Sequence, residues 1–221
     1  MGDRFADRTE AGARLAEAVS RLPALSGQDA VVVALPRGGV PVAAPVARSL
    51  RAPLDVLVVR KLGHPRQPEL GVGAIAEGGV QVLNDRLIAR LGVDRATIDA
   101  VAVRETEELR RRVAAYRGDR PAVDVAGRVV VVVDDGLATG TTARAAVVAV
   151  RRRGAARVVL AVPVAAASTA RELRGVADDL VCTYEPGHLR AVNQWYDDFR
   201  QVDDAEVVRL LEREEGERPR P

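Results

Sequence analysis

Short apolar runs recur along this chain, and stretches of helical periodicity separate them. Residues 30–35, 54–59, 129–133 and 157–162 are mostly apolar and rich in valine, and 178–182 reads as a further short strand. They do not alternate with polar residues, which is the pattern of strands covered on both faces. Pro163 is expected to end the fourth run. Between the strands, residues 9–22 set Ala11, Leu15, Ala16, Val19 and Leu22 at helical spacing, and further helical runs reach Leu50 and cover 143–153, 165–173 and 203–214. Strands alternating with helices predict parallel βαβ units. The middle of the chain breaks this rhythm. Residues 72–76 and 80–83, joined by Glu77-Gly78-Gly79, predict a β-hairpin. Residues 63–70, with His64, Pro65, Arg66, Pro68 and Glu69, have no periodicity and predict a loop. Helices follow from Asn84 or Asp85 to Leu91 and over 94–116. In the second, Glu105, Glu107 and Glu108 against Arg110, Arg111 and Arg112 predict a solvated, ion-paired face.

Composition narrows this picture. The 221 residues are 48% hydrophobic but only 3% aromatic, so the core must be built from valine, alanine and leucine. That length suits one α/β domain over 1–215, with residues 216–221 read as a disordered tail. A net charge of +2, with acids interspersed, argues against a nucleic-acid partner. The lone Cys182 excludes a disulfide framework and a cysteine-rich zinc site, and points to a reducing compartment. His64 and His188 have no partners at ligand spacing. No apolar run is long enough to span a membrane, so a cytoplasmic location is expected.

The chemistry concentrates where the valine run ends. Val129–Val133 leads into Asp134-Asp135-Gly136-Leu137-Ala138-Thr139-Gly140-Thr141-Thr142. In open α/β sheets, ligands bind beyond the carboxyl ends of the strands. The small residues Ala138, Thr139, Gly140, Thr141 and Thr142 let backbone N–H groups close round an anion at a helix N-terminus. Asp134 and Asp135 repel that anion, so they must face something hydroxylated or cationic, such as a ribose diol or a magnesium complex. A second glycine turn, Pro36-Arg37-Gly38-Gly39, follows the first strand and marks another close approach to an anion. Lys61, the only lysine in an arginine-rich chain, stands just beyond the second run, where a compact ammonium differs chemically from a guanidinium.

Residues 130–142 resemble the phosphoribosyl-pyrophosphate (PRPP) signature of type I phosphoribosyltransferases: four apolar residues, Asp-Asp, a few small or apolar residues, then Thr-Gly-x-Thr. That resemblance implies a doubly wound, mainly parallel five-stranded sheet of order 3-2-1-4-5, with a hood insertion at about 60–83 and a closing segment at about 184–215. It implies transfer of ribose 5-phosphate from PRPP to a nitrogen nucleophile, with release of pyrophosphate. Residues 138–142 would hold the 5′-phosphate, Asp134 and Asp135 the ribose hydroxyls, and Arg37, Gly38, Gly39 and Lys61 the pyrophosphate. The required Mg²⁺ would be held mainly by PRPP and water rather than by protein ligands. By the same resemblance, 63–70 is the loop that closes over PRPP, with His64 a phosphate donor or merely solvated. The pyrophosphate loop would hold a non-proline cis peptide at Pro36–Arg37.

Two features bear on the acceptor. Hypoxanthine–guanine enzymes carry an aspartate where this chain has Ala138, so a 6-oxopurine is disfavoured. Four of the six aromatics crowd into Tyr184, Trp195, Tyr196 and Phe199. They predict either a small satellite core or an acceptor pocket of Tyr184, Trp195 and Tyr196. The competing function is a PRPP-binding regulator without transferase activity, since one fold serves both. Many relatives are dimers, and a homodimer is compatible with the sequence.

Overall fold

The computed structural model describes residues 4–64 and 66–216. Its elements, in chain order, are α1 (Arg8–Ser20), β1 (Ala30–Ala34), α2 (Gly39–Leu50), β2 (Leu54–Val56), β3 (Val59–His64), β4 (Gln67–Ala76), β5 (Val80–Leu83), α3 (Asp85–Leu91), α4 (Arg95–Arg117), β6 (Val129–Val133), α5 (Thr141–Arg152), β7 (Arg157–Val164), α6 (Ala167–Leu173), β8 (Asp179–Tyr184) and α7 (Asp204–Gly216).

The valine run is the centre of the main sheet. β6 pairs in parallel with β1 on one side and β7 on the other, and all five of its residues are buried. Val129, Val131 and Val133 join the core shared with α1, α2 and α7, while Val130 and Val132 join the core beneath α5 and α6. Five identical side chains buried on both faces carry no register signal of their own. Polar residues at the two ends supply it: Arg128 pairs with Asp29 at 2.5 Å, and Asp134 emerges at the other end.

The main sheet has the order β2-β1-β6-β7-β8 and every pairing in it is parallel. Counted along the chain this is 2-1-3-4-5, where the resemblance implied 3-2-1-4-5. The reversal beside β1 is kept, and it puts the ends of β1 and β6 side by side. No third strand lies outside β2 among the described residues, because the run 54–59 is two strands rather than one: β2 stops at Val56 and the chain passes into a second sheet at Val59.

That second sheet is antiparallel, of order β3-β4-β5. The expected hairpin is its β4–β5 half, with Gly78 and Gly79 at φ 78° and 73° in the turn. The expected loop at 63–70 is mostly strand. Its register slips at Leu62/Gly63 and again at Gly63/His64, and the ladder of β4 with β5 reaches back only to Gly73. A proline at such an edge removes no ladder bond on the open side, so the prolines and glycines masked a strand rather than excluding one. Pro65 lies outside the described residues. β7 likewise runs through Pro163 to Val164, since its ladder with β6 has already ended at Ala161. α7 extends to Gly216, the first residue of the tail predicted over 216–221, and 217–221 lie outside the described residues.

One buried ion cluster ties the two sheets together. Arg117, at the end of α4, donates to Asp55 of β2 (3.3 Å), to Glu77 in the hairpin turn (2.9 Å) and to the Val56 carbonyl (2.7 Å). Asp55 also accepts from Val56 and Val123 N–H, and Glu77 from Val58 N–H. Every charge in the cluster is thereby met, as burial requires.

Candidate active site

Two glycine turns converge at the carboxyl ends of β1 and β6. Leu35 N–H donates to the Val133 carbonyl at 2.9 Å, which brings the 36–39 turn against the acidic pair. The contact is close enough to exclude side chains. A Cβ on Gly38 would lie 2.0 Å from Asp135 Oδ2, and one on Gly39 would lie 2.8 Å from the Val133 carbonyl oxygen and 3.1 Å from Asp134 Cα. The peptide bond Pro36–Arg37 is cis, as the resemblance implied.

Each carboxylate of the pair has one oxygen engaged and one open. Asp134 Oδ1 accepts the N–H of Asp135 at 2.9 Å. Asp135 Oδ2 accepts from both Nε and Nη2 of Arg8, each at 2.9 Å. Among the described residues, nothing donates to Asp134 Oδ2 or Asp135 Oδ1. Burial raises the carboxyl pKa of both, and for Asp134 the neighbouring charge of Asp135 raises it further. Arg8 opposes that rise at Asp135. The pair is thus a concentration of negative charge that a bound diol or a cation-bearing ligand would relieve.

Beyond the acids, the loop 138–142 takes the form of an anion cradle. Gly140 caps α5 from the left-handed region at φ 69°, a conformation natural to glycine. Its missing Cβ would also meet Leu173 and Thr169 at 2.8 Å. The loop is braced from behind: Thr169 Oγ1 donates to the Ala138 carbonyl at 2.7 Å, and Leu137 exchanges backbone bonds with Val164 and Ala166. The N–H groups of Thr139, Gly140, Thr141 and Thr142 meet no acceptor among the described residues. These are the donors that a helix start leaves unsatisfied. Thr139 and Thr141 open onto a cleft of about 580 Å³ that is also lined by Arg86 and Arg144.

The remaining candidates stand apart from the acids. Arg37 is half-buried and its guanidinium lies 3.7 Å from Asp204 at the start of α7. Asp204 also accepts the Tyr116 hydroxyl at 2.8 Å. Lys61 is exposed on β3, its stem lying across Gly71, where a Cβ would come within 3.0 Å of it. His64 turns Nδ1 back to accept the Arg66 N–H at 3.1 Å.

The aromatic tail takes the satellite-core alternative. Tyr196 is 1% exposed, packs on Phe5 and Phe199, and donates its hydroxyl to the Asp135 carbonyl at 2.6 Å. A ring so enclosed offers no face to a flat acceptor, which corrects its placement in an acceptor pocket. Tyr184 and Trp195 stack on each other at 5.4 Å along the edge of the same cluster. The physical reason is the near-absence of other aromatics: these rings find Phe5 and one another.

Sequence reasoning missed Arg8, Tyr196 as a support of Asp135, and the arginines Arg86 and Arg144. Arg8 and Asp135 are separated by 127 positions, and nothing local to α1 marks its first residue as a partner of the acids.

Comparison with known proteins agrees with this geometry. The family model described as "Phosphoribosyl transferase domain" matches residues 3–194. Two curated relatives from Mycobacterium tuberculosis strains, "Putative phosphoribosyl transferase MT0597" and "Putative phosphoribosyl transferase Rv0571c", are each 51% identical over 209 residues, covering 95% of this chain. The chain spans 46% of the length of those relatives. The crystal structure of TT1426 from Thermus thermophilus is 43% identical, covers 94% of this chain and 97% of its own, and superposes with a TM-score of 0.79.

Proposed function

Since the chain belongs to the phosphoribosyl transferase domain family, we propose that it moves ribose 5-phosphate from PRPP to a nitrogen nucleophile and releases pyrophosphate. The observation that carries this reading is the contact of Gly38 and Gly39 with the Asp134–Asp135 pair, one strand away from the capped loop at Gly140. One phosphate site, one diol site and one further anion turn lie in series, in the order of the groups along PRPP.

The residues divide the work by charge. The free N–H groups at 139–142 hold the 5′-phosphate, helped by the threonine hydroxyls. The open oxygens Asp134 Oδ2 and Asp135 Oδ1 accept the two ribose hydroxyls. The 36–39 turn holds the pyrophosphate, with Arg37 drawn from its long, half-exposed contact with Asp204 and Lys61 brought by the hood. The nucleophile's nitrogen forms its bond to C1 as the C1–oxygen bond breaks, that bond's electron pair leaves with pyrophosphate, and the nitrogen's proton passes to pyrophosphate or water. The protein's contribution is positioning together with neutralisation of the leaving charge. Mg²⁺ fits the excess negative charge of the acidic pair. Mg²⁺ would be held chiefly by PRPP oxygens and water, with Asp134 and Asp135 the protein carboxylates available to it, and would supply charge neutralisation at the pyrophosphate.

Ala138 carries no group able to take a proton from a purine, which favours an acceptor other than a 6-oxopurine. The test is a screen of bases and amines for pyrophosphate release from PRPP with Mg²⁺. Release on addition of one acceptor supports the transferase and names its substrate. Binding of PRPP without release from any acceptor overturns transfer in favour of a PRPP-binding regulator.

A further inference from the structure

We propose that Arg8 is a positioning residue for the ribose diol: by taking Oδ2 of Asp135 it reserves Oδ1 for a hydroxyl. The inference rests on the ribose 5-phosphate reading above.

Two nitrogens of the guanidinium, Nε and Nη2, bind the same carboxylate oxygen at 2.9 Å. An arginine free to choose would take a carboxylate bidentately, one nitrogen to each oxygen. Here the guanidinium is held off that geometry from its other sides. Its Cζ lies 3.7 Å over the Phe199 ring, and Nη1 donates to the Arg200 carbonyl at 2.9 Å. The side chain is only 10% exposed. Gly38 packs on the same oxygen, so Oδ2 is closed to any ligand while Oδ1 has no described donor.

The backbone of Asp135 is fixed as well, through the Tyr196 hydroxyl on its carbonyl. Phe199, Arg200 and Tyr196 belong to a tail segment laced to residues 5 and 6 by backbone bonds: Phe5 N–H to the Trp195 carbonyl, and Asp197 and Asp198 N–H to the Phe5 and Ala6 carbonyls. Segments 5–8 and 195–200 therefore form one clamp behind the acidic pair. Asp134 needs no such clamp, since its Oδ1 is taken by the adjacent N–H. The result is two adjacent carboxylates, each with a single open oxygen, matched to a vicinal diol.

The experiment compares ribose 5-phosphate with the deoxy analogue, 2-deoxy or 3-deoxy, whose weaker binding relative to it is abolished by Asp135→Asn, by calorimetric titration, using the full chain and its Arg8→Gln, Arg8→Lys and Phe199→Leu variants. Magnesium pyrophosphate serves as a probe of the other end of the site. The wild type is expected to prefer the diol by about tenfold or more, the scale of one hydrogen bond to a charged group. Arg8→Gln should bring that preference close to unity with pyrophosphate affinity unchanged. Arg8→Lys, which keeps the charge but not the two-nitrogen contact, should fall between. Phe199→Leu leaves Arg8 in place and removes the ring under its guanidinium, which also packs on Tyr196, so it loosens the clamp from behind and should lower the preference even if Arg8→Gln proves too unstable to measure. A wild type that binds neither sugar phosphate overturns the functional reading itself. Discrimination that survives undiminished in Arg8→Lys and Phe199→Leu overturns the role of Arg8 alone.

Discussion

Gly38 and Asp135 lie so close that a single added carbon on the glycine would sit 2.0 Å from the Asp135 carboxylate oxygen Oδ2. That oxygen cannot swing away, because Arg8 holds it. Gly38→Ala should therefore force the 36–39 turn off the acidic pair and weaken PRPP binding by at least about tenfold, or roughly 1.4 kcal/mol. Gly187, which has nothing within 4 Å of the Cβ position, provides the control: Gly187→Ala should bind as the wild type does. Equal affinities for the two variants in a titration would show that the turn is not part of the site.

The acidic pair should cost stability at neutral pH. Burial and the mutual charge raise the Asp134 carboxyl pKa above its ordinary value. Between the ordinary and the raised value the native state holds more protons than the unfolded chain, so stability falls as pH rises through that window. Asp134→Asn removes the charge and should raise the melting temperature at neutral pH, by roughly 2–4 °C for each kcal/mol recovered. The gain should shrink on acidification toward the usual carboxylate range, and PRPP binding should be lost. Thermal melts at several pH values check this, and a variant less stable than the wild type at neutral pH would contradict it.

Arg117 is the most exposed of the structural residues to a simple test, because one substitution strands two buried carboxylates. Arg117→Met leaves Asp55 and Glu77 unpaired, and should cost about 3–5 kcal/mol in urea unfolding. Replacing all three by apolar residues should recover much of that loss. A single variant within about 1 kcal/mol of the wild type, the error of extrapolation, would mean that water reaches the cluster.

Lys61→Arg keeps the charge and discards the shape. With its stem lying across Gly71, the lysine has room that a planar guanidinium fills differently. Turnover should drop by roughly tenfold, or about 1.4 kcal/mol in activation free energy, with the melting temperature unchanged. Unaltered turnover would show that Lys61 does not touch the pyrophosphate.

The main sheet and the backbone course of the 138–142 loop were legible because their signals are local. An unbroken valine run, an Asp-Asp pair and a Thr-Gly-Thr-Thr turn each fix a backbone course within a few residues. The antiparallel hood was half legible: Gly78 and Gly79 announce its turn, whereas the slipped register around Gly63 hides the strands on either side of it. Pro163 misled because the penalty for a strand proline depends on whether a neighbour is still laddered there, which sequence does not reveal. The supports of the acids were illegible for the same kind of reason. Arg8 and Tyr196 meet Asp135 only because two remote segments pair backbone to backbone, and the aromatic cluster in the tail records that pairing without showing what it supports.

The most direct measurement is a calorimetric titration of PRPP with Mg²⁺ into the wild type and into the Asp134→Asn, Asp135→Asn double variant. Saturable one-site binding by the wild type, lost in a double variant that still melts cooperatively, is the predicted result. A double variant that binds PRPP as the wild type does would contradict the assignment of the diol to Asp134 and Asp135, and with it the reading of this site.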